Sequence, residues 1–297
     1  MRPERLTTVR SRELGEELRQ ARVRLNLKAD KLSKSLGWSA SKISRIEHGV
    51  RGTSGFDLGA LLGRLEVDPA TRERIRRLGE ERDLGYFLRS HDGRLSDNLA
   101  SLIIHERAAL TMTAYEPMVI PGQLQTPAYA AAIITTVGDF RPEDLDFFVA
   151  TRMERQTRLT GPGAPVTTFY IHEAALHSVV GDYGVMHDQM LRLAFMCGWS
   201  SRLRPRVIPF SAPGSNAVRT TFNLMAFAPP IKPVAYTETD TATLFIEADQ
   251  ALDAYKRRVG LLAKLALDAE QSRSVFAHWA DVYGRREDRD DHWKELA

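Results

Sequence analysis

The chain has 297 residues, of which 43% are hydrophobic and 27% charged. That composition is typical of a globular protein long enough for two domains, and it excludes a disordered or fibrous chain. The one cysteine, Cys197, excludes an intrachain disulfide and is typical of a reducing compartment. Without a signal-peptide pattern or a run of about 18 apolar residues, we expect a cytoplasmic protein with no membrane partner.

Charge is unevenly distributed along the chain. Residues 1–80 carry 18 Lys/Arg and 11 Asp/Glu, a net charge of +7. The other 217 residues carry 23 Lys/Arg and 27 Asp/Glu, a net charge of −4. A basic N-terminal part joined to a mildly acidic remainder indicates that the first part meets an anionic surface.

Five short helices are predicted in the first 85 residues. The first, RELGEELRQARVRL, places Leu14, Leu18, Ala21 and Leu25 on one face. Apolar stripes and capping residues indicate four more, in ADKLSKSL, SASKISRIEHG, SGFDLGALLGRL and the segment after Asp68-Pro69. No strand pattern interrupts them, so residues 1–88 are predicted to form an all-α domain.

A larger domain with mixed secondary structure is predicted after a polar linker at residues 89–98. It begins with helices, including all of LASLIIHERAALTMTAYEP. Five runs rich in β-branched and aromatic residues then predict strands: VTTFYIH, RPRVIPF, TTFNLMAFA, KPVAYTET and TATLFIE. Two further helices complete the domain at about residue 284, and the charged tail 285–297 is expected to be mobile.

The predicted fold class is α+β. An N-terminal all-α, five-helix, helix-turn-helix domain precedes a larger α+β domain, residues 99–284. The larger domain is expected to hold one mostly antiparallel or mixed sheet flanked by helices.

The stretch SASKISRIEHG, residues 39–49, predicts a helix with two unlike sides. Ile43 and Ile46 form a narrow apolar seam, Ser39 is the predicted N-cap, and Gly49 ends the helix. The opposite arc lacks large apolar and acidic side chains and consists of Ala40, Ser41, Ser44, Arg45 and His48. A short helix ending at Gly37 precedes it by one turn, which is the helix-turn-helix layout.

This arc suits the major groove of DNA. A helix about 10–12 Å across fits a groove about 12 Å wide. Arg45 can donate two hydrogen bonds to guanine O6 and N7, and serine hydroxyls can reach bases or phosphates. Lys42, at the flank of the arc, and Arg51, just beyond the helix, are predicted to contact phosphates. We therefore expect double-stranded DNA as a partner and association with the nucleoid.

Residues 12–80, and especially LGEELRQARVRLNLKADKLSKSLGWSASKISRIEHGVRG, resemble the helix-turn-helix of the XRE class of regulators, which includes the lambda repressor and Cro. The resemblance implies a five-helix fold that binds palindromic operators as a dimer. One departure concerns the start of the second helix, where the family usually has a Thr-Gln pair and this chain has Lys28-Ala29. The contact made there by glutamine would pass to Lys28 as a simple charge contact.

Residues 97–283 also resemble a known domain. YEPMVIPGQLQTPAYAAAII, RMERQTRL and IHEAALHSVVGDYGVMHDQMLRL occur in the order found in actinobacterial WhiJ-like proteins, also described as antitoxin-like regulators of the Scr family. One difference is Gln123, where the family usually has Leu. The resemblance implies that this domain binds a small partner protein encoded nearby.

No catalytic, metal or cofactor site is predicted. His172 and His177 are five residues apart, which separates them by about 140° on a helix and disfavours a shared zinc ion. Cys197 lies on an apolar helix without a neighbour that would lower its pKa. We therefore expect no enzyme activity and no cofactor.

The sequence leaves alternatives open for the larger domain. Under the first hypothesis the chain is a DNA-binding transcriptional regulator, for instance a repressor, whose larger domain forms a homodimer and binds the small protein. Under the second, the larger domain senses a small-molecule effector that shifts DNA affinity, and its site would draw on Arg152, Gln156, Tyr170, His172 and Phe222. Those aromatic residues also fit an ordinary sheet core. A third hypothesis, an enzyme tethered to DNA, lacks convergent titratable groups.

Overall fold

The structure is a computed structural model that describes residues 7–50, 52–80, 85–90, 95–137, 142–157, 159–161, 163–199 and 202–296. Those residues form twelve α-helices and seven strands. The helices are α1 (Val9–Arg24), α2 (Ala29–Ser35), α3 (Ala40–Glu47), α4 (Gly55–Arg64), α5 (Pro69–Glu80), α6 (Leu95–Ala108), α7 (Pro127–Val137), α8 (Leu145–Thr157), α9 (Ala174–His177), α10 (Tyr183–Trp199), α11 (Asp249–Leu265) and α12 (Ala269–Leu296). The strands are β1 (Tyr86–Ser90), β2 (Ala109–Glu116), β3 (Val166–His172), β4 (Leu203–Ile208), β5 (Phe222–Phe227), β6 (Val234–Glu238) and β7 (Ala242–Ile246). Of these helices, none has the length and apolar character that crossing a bilayer requires.

The described strands form one mixed sheet in the order β1-β7-β6-β5-β2-β3-β4. β2, β3 and β4 run parallel, and Tyr115 of β2 lies opposite Tyr170 of β3. β6 and β7 are neighbours joined by three residues, a connection that only antiparallel strands allow. The predicted fold class, a helical N-terminal domain followed by an α+β domain with a mixed sheet, is confirmed.

The chain divides into two compact units. The first, which we call the head unit, contains Met1–Arg89, Phe227–Val234 and Leu244–Leu252. The second, the body unit, contains Ser90–Ala226, Ala235–Thr243 and Asp253–Ala297. The head unit therefore includes two segments from late in the sequence that no pattern in residues 1–88 could indicate.

Side-chain caps define the starts of most helices in the head unit, and the sequence predicted those of α3 and α5. The Oγ of Ser39 accepts a hydrogen bond from the Lys42 amide at 3.2 Å, and Asp68 accepts one from the Thr71 amide at 2.9 Å. Thr8 and Ser54 cap α1 and α4 in the same way. Each cap satisfies an amide that the helix leaves without a partner, which fixes where the helix begins.

The core of the head unit consists of the apolar stripes that the periodicity predicted. Its buried members are Leu14, Leu18, Ala21, Leu32, Ile43, Ile46, Leu58, Leu61, Leu62, Leu65 and Ile75. Leu25 is an exception and is 39% exposed. It is the C-cap of α1, and Asn26 follows with φ of 52°, so the chain turns away before Leu25 can reach the core.

α1 and α3 approach each other unusually closely. A Cβ added to Gly15 would lie 2.7 Å from the carbonyl oxygen of Ile46 and would also overlap that of Glu47. A Cβ on Gly49 would lie 2.6 Å from the carbonyl oxygen of Ser11, and the φ of Gly49 is +68°. The guanidinium of Arg22 pairs with Glu47 through two bonds of 2.6 and 2.8 Å. Glycine is therefore required where the two backbones meet, and a two-bond ion pair joins them beside that point.

The start of α1 is completed by a residue that lies just beyond β7 in the chain. The Val9 amide donates to both carboxylate oxygens of Glu247, at 3.0 and 2.9 Å. The Glu247 amide in turn donates to the Gly85 carbonyl oxygen at 2.7 Å. A carboxylate at a helix N-terminus satisfies an otherwise unpaired amide and interacts favourably with the helix dipole. These contacts place Leu244–Leu252 in the head unit.

One prediction for the body unit was wrong. The stretch LASLIIHERAALTMTAYEP was predicted as one helix, but α6 ends at Ala108 and β2 begins at Ala109. β2 lies between β5 and β3, so pairing on both sides outweighs the helical tendency of its sequence. The charged tail belongs to α12, which continues as a helix through Leu296, and its expected mobility stays a prediction.

Gly15→Ala should lower the free energy of unfolding by about 1–3 kcal/mol, because the backbones of α1 and α3 would have to separate. Gly59→Ala is the matched control. Nothing lies within 4 Å of a Cβ at Gly59 in α4, so its alanine should stabilise the helix by up to about 1 kcal/mol. Urea unfolding of the purified chain, followed by circular dichroism, measures both. Equal effects of the two substitutions would contradict the close approach.

Glu116, half-buried at the end of β2, should make stability depend on pH. Burial raises the pKa of Glu116 from 4.5 to about 7; the Thr221 hydrogen bond opposes this rise and Glu238 adds to it. Because the folded state holds the proton more tightly, stability is greatest below pH 4.5 and falls as the pH rises through 7.

Glu116→Gln should remove that pH dependence. Between pH 5 and pH 8 the parent chain should lose about 2–3 kcal/mol more of unfolding free energy than the variant. Urea unfolding at several pH values measures the difference. Parallel pH profiles for the two proteins would show that the Glu116 carboxyl keeps an ordinary pKa in the folded state.

Candidate functional site

The helix-turn-helix predicted around Gly37 is present in the head unit. α2 ends at Ser35, the chain turns through Gly37 with φ of +66°, and α3 begins at Ala40. Ile43 and Ile46 are buried, with 1% and 2% of their surface exposed. The narrow seam therefore attaches α3 to the core and leaves the opposite face of the helix exposed.

The opposite face of α3 is exposed as predicted, and we call it the recognition face. Its exposed residues are Ser39, Ala40, Ser41, Ser44, Arg45 and His48. The Arg45 Nε donates to the Ser41 carbonyl oxygen at 3.3 Å, and the His48 Nδ1 lies 2.7 Å from the Ser44 carbonyl oxygen. Within the described residues Arg45 has no carboxylate partner, so its guanidinium charge is available to a ligand.

Lys42 is engaged inside the head unit instead of pointing away from it. Its Nζ lies 2.6 Å from Asp57 Oδ1 and 3.5 Å from the ring centroid of Trp38. Trp38 packs against the head core, as the sequence predicted for it. Lys42 thus joins α3 to α4 and to the turn, and we leave it out of the DNA contacts that we propose.

The remaining predicted DNA contacts lie near the two ends of the motif. Lys28 is exposed directly before α2, where no side chain caps the helix, and Ala29 is partly buried. Arg51 lies outside the described residues. Phe56, which the sequence pattern did not single out, is 83% exposed at the start of α4. Its position two residues before Leu58, off the apolar stripe, is the signal that could have indicated this exposure.

The five candidate residues of the body unit occupy three separate places. Tyr170 and Phe222 are buried in one core cluster with Tyr115, Ile208, Val218 and Leu262. His172 ends β3, where its Nδ1 accepts a hydrogen bond from the Ala174 amide at 3.1 Å and its ring contacts Phe210 at 5.1 Å. Arg152 and Gln156 belong to a polar network elsewhere. The structure therefore does not combine the five into one pocket.

The histidines of HEAALH contact aromatic rings. The ring of His177 lies 4.2 Å from Trp279 and 5.3 Å from Phe210, measured between centroids. Burial lowers the pKa of His172. Over the part of the chain that the structure describes, no three His, Cys, Asp or Glu side chains are grouped to hold a metal ion. Burial raises the pKa of Cys197 to about 11, which disfavours the reactive thiolate.

Arg152 and Gln156 line a polar network that surrounds the 3-10 helix Gly122–Leu124. We call this network the arginine cluster; it consists of Glu106, Gln123, Gln125, Arg152, Arg155, Gln156 and Arg192. Arg152 Nη1 donates to Gln125 Oε1 at 2.8 Å. Gln156 Nε2 donates to the carbonyl oxygens of Gly122 and Gln125, both at 2.9 Å. Side-chain amides thus hold the backbone of this loop in place.

One carboxylate lies within the arginine cluster. Arg155 pairs with Glu106 through two contacts, of which the Nε–Oε2 bond is 2.8 Å, and Gln123 donates to the same carboxylate at 3.1 Å. Burial lowers the pKa of Arg155, but the Glu106 charge raises it, and the net change is a rise. Sequence spacing could have indicated Arg152, Arg155 and Gln156 on one face of α8. The contribution of Arg192, from α10, has no signal in the sequence.

Both regions of the chain match known family models. A model described as a helix-turn-helix domain matches residues 13–75. A model described as a domain of unknown function, DUF5753, matches residues 99–278, which is more than half of the chain. The chain therefore belongs to the DUF5753 family. Its XRE-like helix-turn-helix makes it a DNA-binding regulator. A search among curated proteins found no match.

Lys42→Met should lower the free energy of unfolding by about 1–3 kcal/mol, because it leaves the buried Asp57 carboxylate without its cation. Lys31→Met, at an exposed position of α2, is the control and should change stability little. Urea unfolding measures both effects. If Lys42→Met instead left stability unchanged and reduced the salt dependence of DNA binding, Lys42 would be a phosphate contact.

Proposed function

We propose that the chain is a sequence-specific transcriptional repressor that binds a pseudo-palindromic operator as a homodimer. The observation that carries the proposal is the recognition face of α3. It combines small side chains, three serine hydroxyls and the guanidinium of Arg45 on a helix whose opposite side packs on the core.

Each part of this face has a physical role on DNA. Ala40 and Ser41 let the helix approach the groove floor closely, and Arg45 can donate two hydrogen bonds to guanine. Ser39, Ser44 and His48 can reach further bases or phosphates. Lys28 supplies a phosphate contact at the start of α2, and we keep Arg51 as a second one. Such phosphate contacts position the protein, whereas base contacts give sequence specificity.

For the body unit we propose dimerisation and the binding of a small protein encoded nearby, as the resemblance to WhiJ-like and Scr-family regulators implies. Exposed aromatic side chains in the body unit support a protein partner. Phe195, Phe147 and Phe210 are 77%, 57% and 54% exposed. Aromatic residues are enriched where proteins bind each other, since they bury large apolar areas. We assign no enzymatic reaction and no cofactor to the chain.

An alternative function is favoured by one specific observation. The arginine cluster holds three guanidinium groups and one carboxylate, an excess of positive charge within a folded domain. Under this alternative, a small-molecule effector binds the body unit and shifts DNA affinity.

Arg45→Ala should weaken binding to the preferred duplex by about 1–3 kcal/mol and relax preference at one base pair. The preferred duplex is first selected from a random DNA library with the full chain, and affinity is then measured by fluorescence anisotropy. Arg76→Ala is the control, because it removes the same charge from α5, where Arg76 pairs with Glu73 and Glu80. An equal loss of affinity for the selected and the random duplexes would show that Arg45 contacts a phosphate and not a base.

The selected duplex also tests the homodimer. It should contain two inverted half-sites whose centres are about 34–36 Å apart, or a multiple of that distance. A single unrepeated site would contradict dimeric binding.

Immunoprecipitation from the native cell, with identification of the recovered proteins, should recover a small neighbouring gene product. Recovery of DNA without such a protein would contradict the proposed binding of a small protein by the body unit.

A further inference from the structure

A cavity of about 250 Å³ lies beside the arginine cluster in the body unit. Its polar lining residues include Gln156, Thr157, Thr160 and Arg192. Its apolar lining residues are Met153, Met196 and Leu203. A concave site with apolar walls and a few fixed polar groups is the usual form of a small-molecule site, and this one is small for its kind.

Arg192 is the charged group of the cavity wall. Its Nε donates to the Leu124 carbonyl oxygen at 3.2 Å, and its Nη2 donates to Gln156 Oε1 at 2.8 Å. Both partners are neutral, and within the described residues Arg192 meets no carboxylate. These bonds use two of the five N–H groups of a guanidinium and fix its orientation. Burial lowers the pKa of Arg192, which reflects the cost of holding this charge without a counter-ion.

The neighbouring groups do not neutralise Arg192. The Glu106 carboxylate accepts hydrogen bonds from Arg155 and Gln123. Arg152, on α8, also bonds a neutral acceptor, Gln125 Oε1, and Glu238 acts on it only through a coulombic interaction. The cluster thus keeps a surplus of positive charge that an anion entering the cavity would balance.

We propose that this cavity binds a small carboxylate with a short apolar chain. The carboxylate of the ligand pairs with the guanidinium of Arg192, whose planar fork matches two oxygens. The hydrocarbon part of the ligand packs against Met153 and Met196. The apolar residues of the lining, Met153, Met196 and Leu203, favour a carboxylate on a hydrocarbon over a fully hydrated inorganic anion. The inference rests on the alternative function and names its effector class, and it does not depend on how α3 binds DNA.

Methionine methyl NMR of the full chain tests the site directly. Hexanoate is the probe, and the uncharged hexanamide and inorganic phosphate are the comparison compounds. Hexanoate should shift the methyl signals of Met153 and Met196 and leave those of the buried Met112 and Met225 unchanged. Hexanamide should bind about 10- to 100-fold more weakly, because it cannot form the charge-assisted pair.

Three variants sharpen the test. Arg192→Gln should weaken hexanoate binding about 10- to 100-fold, whereas Arg257→Gln, which removes an exposed charge from α11, should leave it unchanged. Thr157→Phe places bulk at the exposed rim of the cavity and should also reduce binding. Circular dichroism confirms that each variant is folded, and the rim variant provides the answer if Arg192→Gln does not fold.

Several results would overturn the inference. They are no shift at Met153 and Met196, equal binding of hexanoate and hexanamide, unchanged binding by both Arg192→Gln and Thr157→Phe, or phosphate binding as tightly as hexanoate. The NMR experiment uses no DNA. A negative result for the cavity is therefore distinguishable from a negative result for the proposed DNA binding.

Discussion

The close approach of α1 and α3 is the constraint on which the recognition face depends. Because Ile43 and Ile46 are the two residues that α3 buries, the apolar area that holds the helix is small. Contact between the two backbones at Gly15, together with the ion pair of Arg22 and Glu47, compensates for that narrow seam. A wider apolar stripe would hold α3 more tightly, but it would replace the serines and the arginine that face outward.

The body unit differs in holding three arginine cations close together, one of them buried and two partly buried. Arg155 has a carboxylate partner, while Arg152 and Arg192 bind amide and carbonyl oxygens. Neutral acceptors orient a guanidinium but do not cancel its charge, so the arrangement is more costly than a core of apolar residues would be. Such a cost is expected where a site is built for binding, which links the arginine cluster to a ligand.

Local patterns in the sequence predicted the head well. The five helices, their caps and their buried stripes all depend on residues three or four positions apart, so the signal is contained in short windows. Leu25 was predicted to be buried, but the turn at Asn26 directs it away from the core. β2 was predicted to be part of a helix, but it pairs with strands distant in sequence. The exposed face of α3 was predicted from the same periodicity. The engagement of Lys42 with Asp57, fifteen residues away, was not.

The sequence by itself determined which helices form, which face of α3 is polar, and that strands lie between helical ends of the larger domain. Those features depend on the identity and spacing of neighbouring residues. Only the tertiary structure decided that Glu247 completes the start of α1, that the arginine of α10 joins those of α8, and that Tyr170 and Phe222 are core while Gln156 is not. Each of these depends on side chains brought together across long stretches of chain, and no local spacing specifies which distant segments will meet.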